Sequence, residues 1–355
     1  MTQVKKLIKY PSTGQYRNVV KSVLERNSFV GLDDDGNAIY DPSIKKPVLT
    51  AKGTVKIHGT NAGVSYNNAH GMWAQSKGNI ITVDKDNAAF AFHAHSNEDF
   101  YVRSLKAFAE EHDVDLDVNT ITVYGEWAGT GIQKGMGITH HPKSLFVFGV
   151  KVSIPGDEEF KSYWINASDF PVDPENNIYN IYDFETYEME IDFSRPDLAQ
   201  NKMIEIMLEV ERECPVAREF SHIGIGEGNV WTIEFKGEVY RFKVKGEKHA
   251  GKSKVKKLKK VDSVKINKIH DVAEKVTVNW RLEQMLTETF DLINGGSIDR
   301  TKLGDYLRAV IKDVMKEDLD IIVDAGLEPK DVNKYISQIA RDYFFERERN
   351  DLGVD

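Results

Sequence analysis

One cysteine, Cys214, in 355 residues leaves no partner for an intrachain disulfide and no thiolate set for a zinc or iron–sulfur site. A reducing, intracellular setting suits such a chain, so cytoplasmic placement is the expectation. Long apolar runs are also missing. No stretch approaches the roughly 18 residues of a membrane span, and the N-terminal MTQVKKLIKYPSTG has no hydrophobic segment after its lysines, so neither membrane insertion nor a signal peptide is expected. No repeat of fixed period occurs. Proline is sparse, ten residues in all, and beyond residue 266 only Pro329 remains, which leaves that region free for long helices.

At 41% hydrophobic and 29% charged, the chain has the make-up of a folded protein long enough for one large domain and a smaller one. Its net charge of −9, spread evenly, would repel a polyanion. The charge is not even. Residues 241–260 hold ten Lys or Arg against the single acid Glu247, a local +9, so the other residues carry −18.

β-Branched runs punctuated by glycine predict short strands within 47–66, 72–83, 120–127, 144–153, 230–235 and 239–245, with helices over 97–112 and 200–212. This is an α+β pattern built on antiparallel strands. Residues 157–192, with eleven acids against Lys161, read as a solvated excursion outside the core. From about 266 the period changes to that of helices, with turn signals at Asn294-Gly295-Gly296 and at Gly326 with Pro329. The expected organisation is a domain over 1–247, a lysine-rich linker over 248–265 and a small all-helical domain over 266–355.

Strand alternation then sets side chains on common faces. Lys56 and His58 share one face, Val55 and Ile57 the other, and a strand ending at Gly59 presents Asn61 beside them. Alone, this is also the pattern of an edge strand with a solvated lysine. A second strand places Arg241, Lys243 and Lys245 on one face and Tyr240, Phe242 and Val244 on the other. Three cations on one face repel unless solvent or an anion, such as a nucleotide phosphate, sits among them. Glu126 in YGEWAG and Glu227 in IGEG stand next to glycines, where backbone approaches a ligand closely. The aromatics of Leu145–Gly149 suit stacking on a base.

In that order, KIHGTN at 56–61, YGEWAGTGIQK at 124–134, FVFGV at 146–150, GEGNV at 226–230 and FKVKG at 242–246 resemble the motifs of the ATP-dependent RNA ligase 2 family. This is the phage type that seals nicks in duplex RNA, within the covalent nucleotidyltransferases. VTVNWRLEQML at 276–286 resembles that family's helical domain. The resemblance implies an antiparallel-sheet, ATP-grasp-like adenylation domain, with ATP and Mg2+ or Mn2+ as cofactors. It implies Lys56 as the nucleophile on the α-phosphate, giving lysyl-AMP, and Lys243 and Lys245 as the cations that meet phosphate charge. Glu126 would hold the ribose, Phe148 would stack on adenine, Glu227 would have a metal-related role, and His58 and Asn61 would act around the transfers. AMP would then pass to an RNA 5′-phosphate, and a 3′-hydroxyl would expel it. The implied partner is RNA with 3′-OH and 5′-phosphate ends, at nicks in a duplex, bound by a monomer in the cytoplasm, the host's if the gene is a phage's.

Where the family carries an RNA-contacting arginine, this chain offers Lys77 or Ser76. Lys254, Lys256 and Lys257 read as a track for RNA phosphates or as a solvated hinge. A DNA ligase or a GTP-using capping enzyme would share the lysine chemistry but would need barrel strands after residue 246. A non-catalytic duplex-RNA-binding protein is the rival from another class. His93 with His95 and His140 with His141 read as surface-loop residues, because no third ligand recurs at metal spacing.

Overall fold

The computed structural model describes residues 5–32, 36, 38–155, 162–246 and 258–352. In chain order these form α1 (Tyr16–Ser28), β1 (Phe29–Leu32), β2 (Ala38–Tyr40), β3 (Val48–Val55), β4 (Thr60–Asn67), β5 (Gly71–Ser76), β6 (Ile80–Ile81), α2 (Phe90–Ser96), α3 (Glu98–Glu111), β7 (Thr120–Ala128) and β8 (Ser144–Ser153). There follow β9 (Tyr163–Ile165), β10 (Ile178–Asn180), β11 (Thr186–Asp192), α4 (Ala199–Arg212), α5 (Pro215–Glu219), β12 (Gly228–Phe235) and β13 (Glu238–Lys245). The last helices are α6 (Ser263–Val276), α7 (Asn279–Phe290), α8 (Leu303–Glu317), α9 (Leu319–Asp324) and α10 (Pro329–Leu352).

The chain divides into two units, each discontinuous in sequence: Met1–Val19, Leu49–Ile191 and Lys202–Leu258 form the first, and Val20–Val48, Asp192–Asn201 and Lys259–Asp355 the second. Residues 20–48 and 192–201 thus group with the C-terminal helices rather than with the 1–247 stretch in which the sequence reading placed them. In the second unit Lys46 pairs with Asp342 at 2.8 Å and Arg349 with Asp41 at 2.7 Å. These contacts join segments hundreds of residues apart, which no local periodicity announces.

In the first unit a larger sheet runs β10-β8-β7-β4-β5-β6, with β9 also on β8, and a smaller sheet runs β11-β3-β12-β13. The central strand β7 (TITVYGEWA) is buried on both faces but for Glu126, as its β-branched and aromatic content demands. Helices α2 and α3 cover the larger sheet through Phe90, Tyr101, Leu105 and Phe108. The second unit has its own core, in which Val272, Leu282, Tyr306, Val310, Ile336 and Phe344 are buried.

The described part of the acidic stretch, 162–192, is not a solvated excursion. Phe170, Ile178, Ile181 and Ile191 are buried, β10 pairs with β8 in parallel, and β11 joins the smaller sheet. On β11 the acids Glu188, Glu190 and Asp192 take the exposed positions that alternate with Tyr187, Met189 and Ile191, and the other described acids lie outside the strands, so the acid count conceals a core-facing set. Among the described residues no helix is long and apolar enough to cross a membrane.

Candidate active site

β3 ends at Val55, four residues before Gly59, yet the alternation continues through the coil that follows: Val55 and Ile57 are buried while Lys56 and His58 face the other way. The Lys56 N–H donates to the Gly228 carbonyl at 2.8 Å, which keeps the two chains in register past the strand. Gly228 must be glycine: its φ is +134°, and a Cβ there would lie 2.1 Å from the Val244 carbonyl oxygen. Glu227, directly before it, is delivered to the nucleophile candidate by this turn.

Glu227 is 4% exposed and collects three side chains. Lys56 Nζ donates to Oε2 at 2.8 Å, His58 Nδ1 lies 3.0 Å from the same oxygen, and Lys245 Nζ lies 2.5 Å from Oε1. Burial by itself pushes the Glu227 pKa up. The His58 hydrogen bond, the Lys56 charge and the bonds from Lys245 and Lys56 outweigh it, holding the carboxyl well below the usual range. Glu126, across from Asn61 on β4, accepts a hydrogen bond from Gly59 N–H at 3.1 Å. Its pKa moves the opposite way, pushed up chiefly by burial, because Lys56 and the Gly59 bond compensate only in part.

β13 alternates as the sequence requires: Phe242 and Val244 are buried, while Arg241, Lys243 and Lys245 line a cavity of about 390 Å³ between the two sheets. Burial lowers the Lys243 pKa, and the charges of Lys245 and Lys56 lower it further. The opposite wall carries Asn61, Lys77, Glu126, Phe146 and Phe148. Lys56, Asn61, Glu126, Phe148, Lys243 and Lys245 therefore meet at one cavity, with Glu227 bonded to Lys56 and Lys245 and His58 bonded to Glu227. Lys77 also lines it, whereas Ser76 hydrogen-bonds Asn79 in the turn after β5. Lys254, Lys256 and Lys257 lie outside the described residues.

The model of the RNA ligase family matches residues 52–245, the span that holds these cavity side chains from Lys56 to Lys245. The chain belongs to the RNA ligase family. Among solved structures, this family member is similar to a Naegleria gruberi RNA ligase mutant with ATP and Mn, at 12% identity and TM-score 0.42, with 70% of this chain and 58% of that one covered. It is similar to the Naegleria gruberi RNA ligase with pyrophosphate at 12% identity and TM-score 0.41, with the same coverage. The chain thus spans less than two thirds of the length of these relatives. No curated protein sequence matches it.

The ligase cavity also contains residues that the motifs did not supply. Tyr10, Pro11, Ser12 and Thr13 form part of its wall, as do Ile181 and Tyr182 from the acidic stretch. The first four sit in irregular chain with no period to read, and the last two follow a three-residue strand too short to show one. One histidine of each pair needs correction, whereas His95 and His140 are exposed as expected. His93 stands on α2, with Tyr101 Oη 3.3 Å from its Nε2 and Trp127 at 4.6 Å between ring centroids. His141 is buried, stacked on Phe220 at 3.9 Å. Burial pushes both imidazoles down to about 4, so they are neutral packing groups and not surface-loop residues. Among the described residues no group of three or more His, Cys, Asp or Glu could hold a metal ion.

Proposed function

We propose that this protein is an ATP-dependent RNA ligase that joins RNA 3′-OH and 5′-phosphate ends through lysyl-AMP and RNA-adenylate intermediates, at nicks in duplex RNA. The observation that carries the proposal is the convergence of Lys56, Lys243 and Lys245 on one cavity that also holds aromatic side chains, with Glu227 paired to Lys56 and Lys245. A lysine amine is the nucleophile, the α-phosphorus of ATP the electrophile and pyrophosphate the leaving group. Lys243 and Lys245 face the phosphate oxygens on which charge grows, the electrostatic contribution that phosphoryl transfer chiefly needs. Phe148 offers a face to adenine and Glu126 a carboxylate to the ribose hydroxyls, while Asn61 orients the phosphates.

Glu227 acts as counter-charge and orienter for Lys56. A carboxyl held so far below its ordinary pKa is a poor general base. An ionised carboxylate is also the hard oxygen donor that Mg2+ or Mn2+ takes beside phosphate oxygens and waters, so Glu227 fits an ion that arrives with the nucleotide. Such an ion, when bound, supplies positive charge at the phosphates. Lys77, at the cavity edge, and Lys254, Lys256 and Lys257 are read as contacts to RNA phosphate, which brings strong salt dependence. The protein is read as a cytoplasmic monomer.

Sealing of a 5′-phosphate nick across RNA and DNA strand combinations, with ATP or GTP supplied, tests the reading. The expected result is sealing with ATP when both strand ends at the nick are RNA. Sealing of all-DNA nicks alone would make it a DNA ligase, and RNA binding without sealing would make it a non-catalytic binder.

A further inference from the structure

The segment Ile8–Gly14 has neither helical nor strand periodicity, yet it is fastened at both ends. At one end stands Gln75, 1% exposed on β5 of the larger sheet. Its Oε1 accepts the Ile8 N–H at 3.1 Å, and its Nε2 donates to the Ile8 carbonyl at 2.5 Å. The Tyr124 hydroxyl donates to the same carbonyl at 2.8 Å. At the other end, Gly14 N–H donates to the Arg241 carbonyl at 3.1 Å and Lys243 N–H donates to the Gly14 carbonyl at 3.3 Å, on β13 of the smaller sheet. Between these anchors Tyr10 packs edge-on against Phe148, with ring centroids 5.1 Å apart, and its side chain forms part of the cavity wall.

Filling this buried position needs no amide. An apolar side chain of similar length would occupy the space without taking two polar atoms out of water. What the amide adds is a donor and an acceptor presented together to one residue's backbone, as a neighbouring strand would present them. The segment therefore ties the wall that bears Phe148 to the wall that bears Lys243, and its length limits how far they can part.

We infer that Ile8–Gly14 is a strap that sets the separation of the two walls of the nucleotide cavity, with Gln75 as its anchor, so that Gln75 and Tyr10 are positioning residues for the nucleotide. This rests on the reading of the cavity as the ATP site. Loosening the strap costs nucleotide binding before it costs chemistry, since neither residue supplies a charge to the phosphates.

The test is the ATP dependence of AMP uptake by the full chain, compared among wild type, Gln75→Met and Tyr10→Ala, with circular dichroism to measure the folded fraction. Half-saturating ATP should rise about tenfold in Gln75→Met and about threefold in Tyr10→Ala, with maximal rates within about threefold of wild type. Unmoved half-saturation in both variants overturns the strap. So does a fall in maximal rate that follows the folded fraction alone, which would make Gln75 a core residue only. If Gln75→Met does not fold, Tyr10→Ala decides by the same criterion. A wild type that takes up no AMP defeats the reading of the site itself, a result distinct from a reactive wild type matched by its variants.

Discussion

Glu227 meets two lysines and a histidine from a position with almost no solvent. Removing its charge leaves Lys56 and Lys245 facing each other unpaired. Because both lysines keep some contact with water, Glu227→Gln should cost roughly 2–4 kcal/mol at pH 7. That cost has a pH signature. The folded-state pKa of Glu227 lies below its unfolded value, so the native state binds fewer protons than the unfolded chain and acid works against the fold. The stabilisation is whole above about pH 5 and is lost as pH falls toward the folded value. Denaturant titrations of wild type and Glu227→Gln at pH 7 and pH 4 should therefore show a gap that narrows in acid, and a gap that widens would contradict the ion-pair account. Most of this site was legible from sequence, because strand alternation fixes which side Lys56, Lys243 and Lys245 face. Tyr10 and Tyr182 were not, because each lies in chain whose conformation is set by distant partners rather than by its neighbours.

Elements show where local chemistry and tertiary demand part. β7, β8 and β13 follow from their residues, since buried central strands need β-branched and aromatic side chains and a pocket wall needs alternation. β10 does not, because its three residues Ile-Tyr-Asn are too few to show a period, and in β11 the alternation of Tyr187, Met189 and Ile191 with Glu188, Glu190 and Asp192 is hidden in a stretch whose acid count reads as solvated chain. The turn before α2 departs from local preference most plainly. Ala88 and Ala89 both take positive φ, 55° and 67°, an arrangement alanine disfavours. It persists because the Ala88 carbonyl accepts bonds from Trp127 Nε1 at 3.0 Å and Lys143 Nζ at 3.1 Å, while Asn87 Nδ2 donates to the Thr60 hydroxyl at 3.2 Å. The turn is thereby fixed to the strands that carry Asn61 and Glu126. Ala89 is exposed, so Ala89→Gly removes strain without uncovering core, and it should stabilise the protein by about 1 kcal/mol in chemical denaturation. A loss of stability of that size would mean that the alanine methyl contributes packing that its exposure does not suggest.

For the whole molecule, net charge was the least informative number. A chain at −9 looks ill suited to nucleotides, yet Lys56, Lys77, Arg241, Lys243 and Lys245 all line one cavity, with Glu126 as the acid among its lining residues. The unit boundaries were equally hidden, since residues 20–48 group with helices that begin more than two hundred positions later. What the whole chain is proposed to do begins with one covalent event, formation of a lysyl-AMP bond at Lys56. Intact-mass spectrometry of the full chain after incubation with ATP and Mg2+ observes that event directly. The account predicts a single AMP adduct on the wild type, absent from Lys56→Ala. A wild type without the adduct, or an adduct that persists in Lys56→Ala, would contradict it.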